Sequence, residues 1–195
     1  MTVAVAVFAA GRGSRLGGDA SKPLLEWRGR PLLAWALDAA IASGLAPVLV
    51  TIGYRAADVR ASLPASVEIL DNPEWEEGIA ASLRAVLTAL APHAEVTAVC
   101  VGLADQPRTG PAAYRRLAAA HVAGAQLAVA TYDGRRGNPV LLARSLWPQA
   151  MELRGDAGAR QLMDTVPVTD VPCDGTGAAD DVDTLEDLGR LQEDQ

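Results

Sequence analysis

The stretch that decides the fold is Val7-Phe8-Ala9-Ala10-Gly11-Arg12-Gly13-Ser14-Arg15-Leu16-Gly17-Gly18-Asp19-Ala20-Ser21-Lys22-Pro23-Leu24-Leu25. It continues an apolar run of valine and alanine, residues 3–7, which is typical of a strand buried on both faces of a parallel sheet. Small residues then leave main-chain N–H groups uncovered, so a polyanion can approach the backbone while nearby basic side chains neutralise it. The pattern predicts a phosphate-binding loop, with open backbone at Ala9, Ala10, Gly11 and Gly13 and positive charge from Arg12, Arg15 and Lys22.

Glycine spacing alone does not identify the kind of loop. A Walker loop needs a Gly-Lys pair, which this chain lacks, because Lys22 follows Ser21. The dinucleotide fingerprint nearly fits Gly11 and Gly13, but its third glycine comes one residue late, and residues 48–54 carry no ribose-binding carboxylate. A flexible connection with no ligand is the remaining alternative. Basic side chains in a glycine loop after a buried strand favour an anion site over it.

Composition limits the classes of function. The chain has 195 residues, of which 50% are hydrophobic and 21% charged, and its net charge is -7. We therefore expect one domain over residues 1–195, and no non-specific binding to nucleic acid or to an anionic membrane. The two cysteines have no Cys-x-x-Cys spacing, which favours a reducing, cytoplasmic location over a structural zinc site. We interpret the first apolar run as a strand, not as a signal peptide or membrane span.

Apolar periodicity predicts alternating strands and helices. Such alternation predicts an α/β fold with a mostly parallel sheet and right-handed crossovers. We expect a basic turn after residue 132, leading into a strand that reaches residue 142, and a helix entered near residues 153–160. The remaining expected strands cover residues 3–7, 47–52, 67–70, 96–101 and 125–131, and the remaining expected helices cover residues 31–43, 56–63, 79–90 and 110–123.

One aspartate and one cluster of aspartates are candidate ligands for a cation. Asp105 lies just past the apolar strand 96–101, and the carboxyl ends of strands are where open α/β sheets bind their ligands. The alternative for Asp105 is a turn or helix N-cap. Near the end of the chain, Asp180, Asp181 and Asp183 repel one another unless a cation is close. A capping box between Asp183 and Glu186 is the local alternative for this cluster.

Seven motifs in a fixed order resemble those of the molybdenum cofactor nucleotidyltransferases, which belong to the NTP transferases with a GT-A type fold. They begin with Ala-Ala-Gly-x-Gly-x-Arg-Leu-Gly at residues 9–17, followed by Lys-Pro-Leu-Leu at residues 22–25. The others are Asn-Pro-x-Trp-x-x-Gly-x-x-x-Ser-Leu at 72–83, Leu-x-Asp-Gln-Pro at 103–107, Gly-x-Arg-Gly-x-Pro-Val at 134–140, Leu-x-Gly-Asp-x-Gly-Ala-Arg at 153–160 and Asp-x-Asp-Thr-x-Glu-Asp-Leu at 181–188.

The resemblance is nearest to the cytidylyltransferase branch. It implies a three-layer, Rossmann-like (GT-A type) fold and Mg²⁺-dependent transfer of CMP from CTP to the phosphate of molybdopterin, with release of pyrophosphate. A molybdoenzyme or its maturation factor is then a candidate protein partner. The chain departs from the family at Phe8, at a stretch before Lys22 that is one residue longer, at Asn138 where the family has histidine, and at Leu185 where it has proline.

The resemblance also implies roles for individual residues. Lys22, Arg15 and Asp105 are the expected catalytic residues, and Asp183, or else Asp181, joins Asp105 in binding the metal. The expected nucleotide-binding residues are Ala9, Ala10, Gly11, Arg12, Gly13, Ser14, Arg15, Lys22 and Asp105. The expected acceptor-binding residues are Asn72, Trp75, Ser82, Arg136, Asn138, Asp156 and Arg160.

Several alternatives remain open on the sequence. Core packing or a cap over the next helix explains Trp75 locally, and an ordinary glycine-bearing helix entry explains residues 153–160. A guanylyltransferase, or an enzyme acting on a sugar, polyol or lipid phosphate, would use the same loop and carboxylates. A non-catalytic nucleotide-binding or cofactor-delivery module would need the loop but not both carboxylate positions. A nicotinamide-dependent redox enzyme would need the ribose-binding acid that is missing here.

Overall fold

The computed structural model describes residues 1–13, 21–178 and 180–193. Seven strands form its central sheet and two short strands form a separate hairpin. In the sheet are β1 (Thr2–Ala9), β4 (Val48–Ile52), β5 (Glu68–Asp71), β6 (Val96–Leu103), β7 (Leu127–Tyr132), β8 (Arg135–Ala143) and β9 (Val168–Pro172). The hairpin pairs β2 (Glu26–Trp27) with β3 (Arg30–Pro31).

The sheet order is β5-β4-β1-β6-β8-β7-β9. β1 pairs in parallel with β4 and β6, β4 pairs in parallel with β5, and β7 with β9. Only β8 runs against its neighbours β6 and β7 in this sheet of the described residues. The predicted mostly parallel α/β sheet is therefore confirmed.

Helices cover both faces of the sheet and make a three-layer structure. The helices are α1 (Leu32–Ala42), α2 (Ala56–Ala61), α3 (Ile79–Leu90), α4 (Pro111–Val122), α5 (Trp147–Ala150) and α6 (Leu185–Glu193). Buried residues of α1, α2 and α4 join one core cluster, whereas those of α3, α5 and a 3-10 segment at Gly155–Asp164 join the other. No helix among the described residues is long and apolar enough to cross a membrane.

Side-chain alternation along β1 explains why this strand lies at the centre. Val5 and Val7 point into the first core cluster, and Ala4 and Ala6 point into the second. All four residues have no exposed surface. Burial of each valine side chain contributes about 1.5–3 kcal/mol, and the alanines let α3 pack close to the sheet. The strand therefore delivers the loop that follows it to a fixed place at the sheet's carboxyl edge.

Two local expectations were wrong in detail. The predicted basic turn is only Asp133–Gly134, because Arg135 and Arg136 already pair with Tyr132 and Thr131 in the β7–β8 hairpin. Asp133 and Gly134 both have positive φ, 50° and 72°, as a two-residue hairpin turn requires. The helix expected near residues 153–160 is a 3-10 segment interrupted at Gly158, whose φ of 44° and ψ of -152° are not helical.

The packing of α4 under β6 yields a stability prediction. A Cβ at Gly102 would lie 2.1 Å from the hydroxyl of Tyr114, which is buried. We expect Gly102→Ala to destabilise the fold by about 1–3 kcal/mol because the core is overpacked. Thermal unfolding should show a fall of about 2–4 °C in Tm per kcal/mol. Adding Tyr114→Phe should restore most of the loss, because it removes the atom that the new Cβ meets.

Gly189→Ala in α6 is the matched control, since a Cβ there meets nothing within 4 Å. It should leave Tm unchanged or raise it slightly, as replacing helical glycine usually does. An equal loss in Gly102→Ala and in the double variant would show that the Tyr114 hydroxyl is not the cause.

Candidate active site

A cleft of about 550 Å³ opens at the carboxyl ends of β1 and β6. The structure brings together the described part of the predicted nucleotide-binding set here: Ala9, Ala10, Gly11, Arg12, Gly13, Lys22 and Asp105 all line the cleft. Ser14 and Arg15, which complete that set, lie outside the described residues. The rest of the wall is contributed by Phe8, Pro23, Trp75, Glu76, Gly78, Ile79, Ser82, Leu103, Ala104 and Asp156.

Backbone hydrogen bonds hold the start of the loop. The Tyr54 N–H donates to the Ala10 carbonyl at 2.9 Å, and the Ala104 N–H donates to the Phe8 carbonyl at 3.1 Å. The loop after β1 is thus tied to the segments after β4 and β6. These two hydrogen bonds fix the backbone where the glycine-rich loop begins, next to the small residues that leave their N–H groups uncovered.

An aromatic pair supports one wall of the cleft, with Trp75 lining the cleft and Tyr54 packed against it. The rings of Tyr54 and Trp75 lie 5.4 Å apart between centroids, and the Arg12 guanidinium lies 5.4 Å from the centre of the Tyr54 ring. Gly53 permits this packing, because a Cβ there would lie 2.6 Å from the Trp75 Cβ. Trp75 is therefore a partly exposed residue of the cleft wall. Sequence reasoning missed Tyr54, although its position just after a parallel strand was a usable signal.

Lys22 links two carboxylates at the centre of the site. Its ammonium bonds directly to Asp105 Oδ2 and donates to Asp183 Oδ1 at 2.7 Å. The Lys22 side chain is only 12% exposed, against 21% for Asp105 and 40% for Asp183. Burial alone would lower the pKa of Lys22, but the two carboxylates outweigh it and raise that pKa. Lys22 is accordingly held as the charged ammonium.

The residues present fit a divalent cation of the magnesium type. Asp105 Oδ1 is buried and has no hydrogen-bond partner among the described residues, so it is a carboxylate oxygen available to a ligand. The described residues contain no group of three or more acidic, histidine or cysteine side chains placed to hold a metal. Mg²⁺ in proteins is commonly bound by one or two carboxylates, while substrate phosphates and waters complete its shell.

The segment that carries Asp181 and Asp183 is docked on the loop that follows β6. The Val182 N–H donates to the Asp105 carbonyl at 3.0 Å, and the Ala178 N–H donates to the Arg108 carbonyl at 3.1 Å. Two glycines allow this approach: a Cβ at Gly110 would lie 1.8 Å from the Thr176 carbonyl oxygen, and one at Gly177 would lie 2.1 Å from that of Arg108. The docking brings the distant aspartates to Asp105.

The two predicted metal ligands of the C-terminal motif face different neighbours. Asp183 shares Lys22 with Asp105, whereas Asp181 Oδ1 accepts a hydrogen bond of 2.5 Å from Gln106 Nε2. The pKa of Asp181 is raised, chiefly because the carboxylate is partly shielded from water. The negative charges of Asp105 and Asp183 add to this effect. Gln106 is buried, and sequence reasoning gave it no role although it stands in the Leu-x-Asp-Gln-Pro motif.

The capping box expected between Asp183 and Glu186 is shifted by one residue. The Thr184 N–H donates to Asp187 Oδ2 at 2.8 Å, and the Asp187 N–H donates to Thr184 Oγ1 at 3.1 Å. Glu186 instead accepts a hydrogen bond of 2.8 Å from Arg190. Thr184 and Asp187 therefore cap α6, and the Asp183 side chain is available to Lys22.

The predicted acceptor-binding residues fall into separate groups. Trp75, Ser82 and Asp156 line the cleft. Asn72 is buried and braces the same wall, since its Nδ2 donates to Ser82 Oγ at 3.1 Å.

Arg136 and Asn138 line a second cavity, of about 560 Å³, instead of the cleft. Arg136 also forms a two-pronged pair with Asp170, with distances of 2.6 and 3.1 Å. The Arg160 side chain lies outside the described part of the structure.

Residues 5–171 match the MobA-like NTP transferase domain family. The chain belongs to this family. The Rv0371c protein of Mycobacterium tuberculosis is 33% identical, with a TM-score of 0.84 over 98% of this chain and 97% of that one. A structure of Rv0371c in complex with manganese is also similar, with 28% identity, a TM-score of 0.83 and 100% of both chains covered. The nicotine blue oxidoreductase of Paenarthrobacter nicotinovorans is 33% identical over 95% of this chain and 94% of its own length.

The raised pKa of Asp181 predicts that this carboxylate destabilises the folded MobA-like domain. Above its ordinary pKa of 3.8 the folded state holds the Asp181 proton more tightly than the unfolded state, so stability falls as the pH rises through that window. Asp181→Asn removes the charge and keeps an oxygen for Gln106. We expect a small rise in Tm at pH 7 that shrinks as the pH approaches 4, measured without divalent metal.

Gln106→Glu is the opposing variant, because it places a second carboxylate beside Asp181 and should lower Tm at pH 7. A difference between Asp181→Asn and the unaltered chain that does not depend on pH would contradict the electrostatic explanation.

Proposed function

We propose that this chain is a nucleotidyltransferase that moves CMP from CTP to the phosphate of an acceptor such as molybdopterin and releases pyrophosphate. The observation that carries the proposal is that the Lys22 ammonium contacts both Asp105 and Asp183 in the cleft that the glycine-rich loop also lines. Family membership supports nucleotidyl transfer as the general reaction. The choice of CTP and of molybdopterin rests on the motifs of the cytidylyltransferase branch.

The proposed chemistry needs charge neutralisation and alignment more than proton transfer. A phosphate monoester acceptor is already ionised near neutral pH, so no side chain has to act as its general base. We assign Lys22, Arg12 and the backbone N–H groups of Gly11 and Gly13 to the leaving pyrophosphate, since they line the cleft on the loop side. Arg15 is proposed for the same task from its place in the motif.

Asp105 and Asp183 are the proposed ligands of the metal, and Mg²⁺ is the proposed metal. When bound, it would supply positive charge to the phosphate oxygens during transfer. Asp105 offers a buried oxygen without a partner, and Asp183 shares the same lysine. The manganese complex of the related Rv0371c protein supports a divalent cation. Asp181 is not favoured as the second ligand because Gln106 occupies one of its oxygens.

A cytoplasmic location is part of the same proposal. The structure has two free cysteines, Cys100 and Cys173, and both are buried in the core. Thiols kept in the reduced form agree with a reducing compartment.

An oxidoreductase is the second candidate function, and the name of the nicotine blue oxidoreductase is the observation that favours it. A nicotinamide cofactor bound in the usual way would be held by a carboxylate at the end of the second parallel strand. Ile52 ends that strand here, and Gly53 and Tyr54 follow. The absence of a carboxylate at this place in the sequence makes nucleotidyl transfer the better supported reaction.

The first experiment is thermal unfolding of the full chain with CTP, GTP, ATP or UTP, each with and without Mg²⁺, and in parallel with NADH or NADPH. A ligand at 100 times its Kd adds about 2.7 kcal/mol of stability, which is several degrees in a domain of this size. We expect Mg²⁺-dependent stabilisation by CTP. Selective stabilisation by GTP would move the proposal to the guanylyltransferase branch, and stabilisation by NADH or NADPH alone would favour the redox candidate.

Asp105→Asn tests the proposed metal site. It keeps the shape and one side-chain oxygen but removes the charge that would bind the cation, so we expect pyrophosphate release from CTP and molybdopterin to fall by about 100-fold or more. Asp38→Asn is the matched control, because Asp38 is an exposed aspartate paired with Arg30. Full activity of Asp105→Asn, with Tm unchanged, would refute the proposed role.

A further inference from the structure

The second cavity lies along the same edge of the sheet as the cleft. It is lined from the carboxyl ends of β7 and β9 and the start of β8, whereas the cleft lies at the carboxyl ends of β1 and β6. Consecutive residues line the two spaces, since Asp105 lines the cleft and Gln106 lines the second cavity. Asp181 also faces this cavity.

The geometry of phosphoryl transfer favours this position for the acceptor. The attacking and leaving oxygens lie roughly in line on opposite sides of the reacting phosphorus. The loop residues proposed to hold the pyrophosphate line the cleft, and none of those described lines the second cavity. An acceptor that approaches from the opposite side therefore comes past Asp105 and Gln106, out of the second cavity.

Most charged groups around this cavity are already engaged. Asp180 pairs with Arg108 at 3.1 Å, Asp174 Oδ1 accepts the Asp133 N–H at 2.7 Å, and Asp181 is bonded to Gln106. The guanidinium of Arg136 is committed to Asp170. Arg135 and the carboxylate of Asp133 differ: both are exposed, and neither side chain makes a hydrogen bond or ion pair with the residues that the structure describes. Of these two, Arg135 carries the positive charge that a phosphate group requires.

Strand pairing in the β7–β8 hairpin holds the backbone of Arg135 in place. Arg135 pairs with Tyr132 across the two-residue turn of the β7–β8 hairpin. The Tyr132 hydroxyl donates to the Asn138 carbonyl at 3.1 Å and ties the same hairpin together. A guanidinium held on this hairpin presents paired N–H donors in a fixed geometry, which matches two oxygens of a phosphate group.

We propose that the second cavity receives the phosphate-bearing acceptor and that Arg135 binds its phosphate, whereas Arg136 stabilises the hairpin. This inference rests on the proposed nucleotidyl transfer. It differs from the expectation drawn from the motif, in which Arg136 is the matching arginine and Arg135 occupies a variable position. The reason is that the N–H donors of Arg136 already bind Asp170, whereas those of Arg135 are available to a ligand.

The test fills the cleft first and then probes the cavity. The full chain is saturated with Mg²⁺ and α,β-methylene CTP, which cannot transfer CMP, and inorganic phosphate is titrated while Tm is followed. We expect a further phosphate-dependent rise in Tm for the unaltered chain. Arg135→Gln should raise the apparent Kd for phosphate by about 10-fold or more, as loss of a charged hydrogen bond does.

Arg136→Gln is the matched control, since it removes the same charge from the next residue of the same strand. It should change the apparent Kd for phosphate less than about 2-fold, the scatter expected for a residue that does not touch the ligand. With molybdopterin as acceptor, Arg135→Gln should raise the KM for the acceptor and leave the KM for CTP unchanged.

The outcomes separate the two proposals. Stabilisation by the nucleotide analogue, combined with no phosphate effect or with equal weakening in both variants, would overturn the role of Arg135 and leave the proposed function standing. No stabilisation by any nucleotide would overturn the proposed function and this inference together.

Discussion

The ammonium of Lys22 is the contact on which the arrangement of the site depends. It joins the segment after the glycine loop to Asp105, 83 residues away, and to Asp183, 161 residues away. Two carboxylates this close repel each other, and a cation between them offsets that repulsion. The proposed function relies on the same charge balance, since the carboxylates would hold the metal ion and Lys22 would hold phosphate oxygens.

Close backbone packing makes that contact possible. The chain returns from β9 and lies against the loop after β6, where Gly110 and Gly177 leave room for neighbouring carbonyl groups. Gln106 then turns Asp181 toward the second cavity while Asp183 stays with Lys22. The docked segment therefore contributes to both spaces: Asp183 contacts Lys22 of the cleft, where we place the nucleotide, and Asp181 lines the second cavity, where we place the acceptor.

The reaction of this chain has to be argued from its site. A protein named nicotine blue oxidoreductase is 33% identical to this chain, and a shared fold does not by itself determine function. The basic loop and the carboxylates of the cleft are the groups to which we assign phosphates and a divalent cation in the proposed function. Trp75, which lines the cleft and packs against Tyr54, has no role in this chemistry.

Much of this protein follows from local sequence. The valine and alanine alternation of β1, the glycines after it and the apolar strand before Asp105 determine the parallel sheet and the edge where the site forms, because burial and strand direction are encoded in short patterns. Tertiary structure alone decided which aspartate meets Lys22 and that Arg136, not Arg135, pairs with Asp170. Those outcomes depend on side chains that are distant in sequence and meet only when the last strand is in place. The cap of α6 by Thr184 and Asp187 is a local contact, but neighbouring residues offered two possible pairs and the sequence pattern did not decide between them.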